Sequence, residues 1–84
     1  MTALSGRVFT LLSKPGCHLC HEMRAVVEPK LAERGASLLE RDVREDAELA
    51  RRYLLEIPVL LLDGRELARH RITSAELTRL LARL

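Results

Sequence analysis

Hydrophobic and polar positions follow two rhythms along the chain, and the changes between them mark its elements. Arg7 to Ser13 (RVFTLLS) is a short apolar run bounded by Gly6 and by Lys14-Pro15-Gly16, which predicts a buried strand. From His18 to Arg34, apolar side chains recur at Leu19, Cys20, Met23, Val26, Val27 and Leu31, one stripe on a helix that Gly35 stops. Pro29 lies inside that stretch and has no N–H to give, so a kink or break is expected near Val26 to Glu28. Ala36 to Val43 (ASLLERDV) predicts a second strand. Glu45 to Leu54 predicts a second helix, with Leu49, Ala50 and Tyr53 at helical spacing and acidic residues in its first turn, where the helix dipole favours them. Pro58 opens the apolar run Val59 to Leu62, since a proline is tolerated at the first position of a strand. Asp63-Gly64 is a two-residue hairpin signal, and Arg65 to Arg71 reads as the returning edge strand. Thr73 or Ser74 caps a last helix carrying Leu77, Leu80, Leu81 and Leu84, with Glu76 in the capping-box position if Thr73 is the cap. The order βαβαββα joins a parallel βαβ half to a hairpin and a closing helix. It implies an α/β fold in which a four-stranded mixed sheet carries helices on both faces.

Composition narrows what such a scaffold can do. Eighty-four residues suit one domain, 1–84, and no repeat, linker or low-complexity tract divides it. Two cysteines are too few for the several-bridge framework of a small secreted scaffold, and no apolar run approaches the roughly 20 residues of a membrane-spanning helix. The net charge of +2 is spread along the chain, and Phe9 and Tyr53 are the only aromatics, so the basic groove with stacking rings typical of single-strand binders is missing. Neither nucleic acid nor membrane is expected as a partner. The apolar stretch Val8 to Leu12 is shorter than the roughly 7 to 15 residues of a signal-peptide core, which leads us to expect a cytoplasmic protein. A monomer is the expected state.

The candidate chemistry lies in Cys17-His18-Leu19-Cys20, placed where the first strand turns into the first helix. Unpaired N–H groups and partial positive charge at a helix N-terminus stabilise a thiolate, and the cations of Lys14 and a protonated His18 would add to this. Cys17 is the candidate nucleophile. Cys20, three residues on along the same helical face, is within reach of a disulfide and is the candidate resolving thiol, more buried and less acidic. The chemistry that this permits is thiol-disulfide exchange. The letters C-x-x-C-H, completed by His21, also spell covalent haem attachment, but that generally accompanies export, no signal segment is expected, and Met1 and Met23 are poorly placed as distal ligands. Zinc through Cys17, Cys20, His21 and either His18 or His70 lacks a second ligand pair at structural-site spacing. No metal and no bound cofactor is expected.

Ser13-Lys14-Pro15-Gly16-Cys17-His18-Leu19-Cys20 after a strand, Glu56-Ile57-Pro58-Val59 before the hairpin and Asp63-Gly64-Arg65 at the turn resemble a glutaredoxin, more closely the small glutaredoxin-like proteins of bacteria. The resemblance covers nearly the whole chain and implies a thioredoxin-like fold. It implies an oxidoreductase that reduces protein disulfides or glutathione mixed disulfides, with glutathione or a thioredoxin-reductase-type system as donor. It aligns Pro58 with the family's cis-proline and gives Ile57 the role of offering backbone N–H and C=O to glutathione or a substrate peptide. Lys14 matches the basic residue near the glycine carboxylate of glutathione. The departures are His18-Leu19 in place of the usual Pro-Tyr, and Ala68-Arg69 and Ile72-Thr73 where a glycine pair and an Asp hold the γ-glutamyl end. Thr73, Ser74 or the N-terminus of the last helix could replace part of that hold. The alternative to an enzyme is a non-catalytic thioredoxin-fold binding module, or a metal or iron-sulfur site on the same cysteines.

Overall fold

Successive side chains of a strand point to opposite faces of its sheet, and β1 (Val8–Ser13) uses both. Phe9 and Leu11 pack on one side and Leu12 on the other, all fully buried. The computed structural model describes residues 3–84, so Met1, weighed above as a haem ligand, lies outside the described residues. β1 is central in the order β2-β1-β3-β4. It runs parallel to β2 (Ser37–Asp42) and antiparallel to β3 (Val59–Leu62), which pairs in turn with β4 (Arg65–Arg69) across the Asp63-Gly64 turn. Phe9, Leu11, Leu60 and Leu62 meet Met23, Val27 and Leu31 of α1 (His18–Glu33) and Leu77 and Leu81 of α3 (Ser74–Ala82). On the opposite face Leu12, Val59 and Leu61 meet Val43, in a 3-10 turn at Val43–Glu45, and Tyr53 of α2 (Ala47–Tyr53). Helices therefore cover both faces of a four-stranded mixed sheet, as the element order implied.

The expected break is corrected by the structure: α1 runs unbroken from His18 to Glu33 through Pro29. Proline removes the hydrogen bond to the carbonyl four residues back, that of Ala25. Ala25 and Pro29 both lie on the exposed side of α1, where water can take that carbonyl, and the buried stripe Cys20, Met23, Val27, Leu31 holds the helix to the sheet on either side of the gap. At α3 the cap is Thr73. Its hydroxyl accepts the Glu76 N–H at 3.1 Å, and the Glu76 carboxylate accepts the Thr73 N–H at 2.9 Å.

In urea denaturation, Thr73→Ala should lower the unfolding free energy by about 1 kcal/mol and Phe9→Ala by about 3–5 kcal/mol. Equal losses at the two positions would mean that Phe9 is not at the centre of the α1/α3 face.

Candidate active site at the cysteine turn

β1 ends at Ser13, and the three residues after it reverse the chain into α1. The Cys17 N–H donates to the Lys14 carbonyl at 3.3 Å to close the turn. Gly16 supports it with φ +79°, a conformation that other residues rarely adopt, although a side chain there would meet open space. Cys17 is the N-cap of α1, and its Sγ accepts the Cys20 N–H at 3.2 Å, as a Ser or Asp oxygen does at other helix starts. The first turn of α1 holds no acidic residue. Cys17 and Cys20 form a disulfide with their Cα atoms 5.2 Å apart, so the structure describes the oxidised pair. Cys20 is 3% exposed, whereas Cys17 is half-buried and reaches the surface.

Both cysteines open on a groove of about 380 Å³, whose near wall is Ser13, Lys14 and His21. Its far wall is Glu40, Asp42 and Glu45, carboxylates that the sequence reading did not place here. The parallel register explains them: Leu11 lies beside Glu40 and Ser13 beside Asp42, so β2 delivers its end to the end of β1 that carries the cysteines. The buried Ser13 hydroxyl donates to Glu40 at 2.6 Å, and Arg24 of α1 donates to the other Glu40 oxygen at 2.9 Å. Asp42 caps the 3-10 turn through the Arg44 N–H at 2.9 Å, and the Arg44 guanidinium grips the same carboxylate at 2.7 Å. Those bonds pull the Asp42 pKa from 3.8 to about 2. His18 is exposed and pairs with Glu22 at 3.5 Å, so His21, not His18, is the histidine that lines the groove. Met23, the other methionine weighed for haem, is buried in the core. Among the described residues no group of three or more His, Cys, Asp or Glu stands close enough to hold a metal ion.

Leu12 pairs with Val59, which brings Pro58 alongside Ser13 at the same end of the sheet. The Ile57-Pro58 bond is cis, Pro58 is buried and Ile57 is half-buried against the α2 core. Among the described residues the Ile57 backbone N–H and C=O have no hydrogen-bond partner. His70 holds this segment from both sides of Ile57. Its N–H donates to the Pro58 carbonyl at 2.8 Å, and its ring meets the Glu56 carboxylate at 3.0 Å, where Arg69 also donates at 3.0 Å. His70 does this with φ +67°, a left-handed conformation that nothing in the sequence pattern signals. The glutathione positions of the resemblance lie elsewhere on the rim. Ala68 and Arg69 are in β4, while Ile72 and Thr73 border a recess of about 450 Å³ with Leu19 and Met23 of α1. At the N-terminus of α3 the Glu76 carboxylate already accepts the Thr73 N–H.

A sequence model of the glutaredoxin-like domain (DUF836) matches residues 8–82. Among solved structures, the chain is similar to one described as the structure of a malarial protein, with 24% identity over 90% of this chain and 93% of that one, at a TM-score of 0.60. It is also similar to a mutant thioredoxin from Halobacterium salinarum NRC-1, with 23% identity over 93% of this chain and 71% of that one, at a TM-score of 0.55. Those identities speak for the fold, which is thioredoxin-like. Among the described residues no helix is long and apolar enough to cross a membrane.

The depressed pKa of Asp42 carries a pH signature. A carboxylate whose folded pKa lies below its unfolded value stabilises the fold above the unfolded pKa, and that contribution is lost as pH falls through the folded one. The stability difference between the native chain and Asp42→Asn should therefore be constant near neutrality and shrink as pH falls from about 4 to about 2. A difference that persists unchanged at pH 2 in acid-denaturation curves would contradict the Arg44 clamp.

Proposed function

The chain belongs to the glutaredoxin-like domain family, and from that premise we propose that it is a thiol-disulfide oxidoreductase with Cys17 as nucleophile and Cys20 as resolving thiol. One observation carries the reading: the Cys20 N–H points at Cys17 Sγ from the first turn of a helix, in a pair already within disulfide reach. In the reduced protein the same N–H and the helix dipole face the Cys17 sulfur, where they favour thiolate over thiol. The half-buried Cys17 can meet a substrate, while the buried Cys20 is screened from one.

The exchange runs in two displacements. Cys17 thiolate attacks one sulfur of a substrate disulfide, that S–S bond breaks, and the distal sulfur leaves as a thiolate. Cys20 then gives its proton to solvent and attacks Cys17 Sγ, which breaks the mixed disulfide and releases the second substrate sulfur. The substrate gains two electrons, the protein is left with the Cys17–Cys20 disulfide, and the product thiolates take up protons. Two glutathione thiols, or the dithiol of a thioredoxin-reductase-type system, return the pair to its reduced state and are themselves oxidised to a disulfide.

The substrates we propose are protein disulfides and glutathione mixed disulfides, handled by a monomer in the cytoplasm. Lys14, in the groove beside Cys17, supplies positive charge to the thiolate and to an anionic substrate end; His18, when protonated, adds charge at the helix start. The unpaired Ile57 backbone groups, presented next to Pro58, support a strand-like pairing with the substrate peptide. The capping box takes up the Thr73 and Glu76 N–H groups at the α3 N-terminus and sets the Glu76 carboxylate beside it, which favours a glutathione that acts by thiol exchange over one that is firmly held.

The test is reduction of the oxidised protein by glutathione and, separately, by a thioredoxin-reductase system, followed by turnover of a mixed disulfide. Cys17→Ser should abolish turnover with either donor. Cys20→Ser should lose activity on protein disulfides and keep a glutathione-linked fraction on mixed disulfides. An intact pair that neither donor reduces, or turnover that survives Cys17→Ser, would defeat the proposal.

A further inference from the structure

The charge of this chain is not spread evenly over its surface. Between β4 and α3 runs a groove of about 580 Å³, walled by Arg65, Arg69, Arg71, Arg79 and Arg83. Its two carboxylates are already engaged: Glu66 by Arg69, and Glu76 by the backbone of Thr73. With five of the chain's 14 basic residues and two of its 12 acidic ones in this lining, the rest of the molecule keeps nine basic against ten acidic residues. Among the described residues the guanidinium groups of Arg65, Arg71 and Arg83 have no hydrogen-bond or ion-pair partner, although all three are exposed in the lining of one groove. Leu67, Ala68, Ile72 and Leu80 give the groove an apolar floor, half-buried and packed against the α1/α3 core.

β4 is also an edge strand, with β3 on one side and, among the described residues, no strand on the other. A free edge offers backbone N–H and C=O groups to an extended peptide, which can add as a further strand. Here the arginines decide which peptide. A second copy of the chain would bring five arginines against five, so edge-to-edge pairing of like copies is opposed. A nucleic acid would find the charge and no rings, because Phe9 and Tyr53 are both buried.

We propose that the groove between β4 and α3 is a docking surface for an acidic, extended segment of a partner protein, with carboxylates on the arginines and alternate aliphatic side chains on the floor. The groove reaches Arg71 and Ile72, which also border the recess beside Leu19 of α1, so a segment seated here continues toward the helix that begins at the cysteines. Docking requires no redox step and stands apart from the function proposed above.

The test is a fluorescence-anisotropy titration of the oxidised full chain with a labelled peptide of about nine residues alternating Glu and Val, long enough at roughly 3.4 Å per residue to span β4. Controls are the same peptide with Gln for Glu and a labelled single-stranded oligonucleotide of equal charge. The expected result is saturable binding of the Glu peptide, weakened by salt, with amide chemical-shift changes confined to β4, residues 70–72 and α3. It should be about tenfold tighter than the Gln peptide and about tenfold weaker in Arg71→Glu/Arg83→Glu. Should that variant fail to fold, Arg71→Gln/Arg83→Gln serves the same comparison. Equal affinity for the two peptides, shift changes elsewhere, or tighter binding of the oligonucleotide would overturn the proposal.

Discussion

The sulfur of Cys17 closes the first turn of α1. It takes the N–H of Cys20 at the place where helices commonly set a hydroxyl or carboxylate oxygen, and no acidic side chain in that turn competes for the positive end of the dipole. One geometry thus does two things. It lets a 16-residue helix start directly after a tight turn, and it keeps the two sulfurs within bonding distance along one helical face. A serine in place of Cys17 would preserve the cap and lose the chemistry, so the reactive atom is also a structural one.

The sheet determines what surrounds that sulfur. Because β1 is central, the ends of its two neighbours arrive at the same rim, from opposite directions in sequence. Parallel β2 brings Glu40 and Asp42 to one side of the cysteines, each carboxylate tied to an arginine. Antiparallel β3 brings Pro58 to the other side, with Ile57 ahead of it and its backbone unpaired. His70 returns from β4 to clasp that segment through its N–H and its ring. The site therefore lies at one end of the sheet, built from strand ends that packing on both faces holds in register.

Much of this is legible in the chain itself, because the signals are local. The short apolar runs of β1 and β3, Asp63-Gly64 between the hairpin strands and Thr73 with Glu76 at α3 each act over a few residues, and each appears in the structure where the pattern puts it. The cysteine pair is legible for the same reason, as a helix start after a strand. What escapes the pattern is set by contacts between distant segments. The wall of Glu40 and Asp42 depends on parallel register across residues joined only through α1, and polar side chains on an edge strand read as solvent-facing. Pro29 suggests a break because propensity sees the lost hydrogen bond and not the buried stripe that spans it. The arginine groove is likewise invisible in a net charge of +2, since it arises only when β4 and α3 lie side by side.

The account stands on the helix start acting on the Cys17 sulfur, and the most direct measurement is the thiolate absorbance of the reduced protein as a function of pH, with Cys20→Ser to assign the transition. The account predicts that Cys17 titrates at least about one unit below the 8.5 of a free cysteine, with Cys20 titrating above it. A Cys17 transition at or above 8.5 would contradict it, because the N–H and dipole that cap α1 would then not be favouring the charged sulfur.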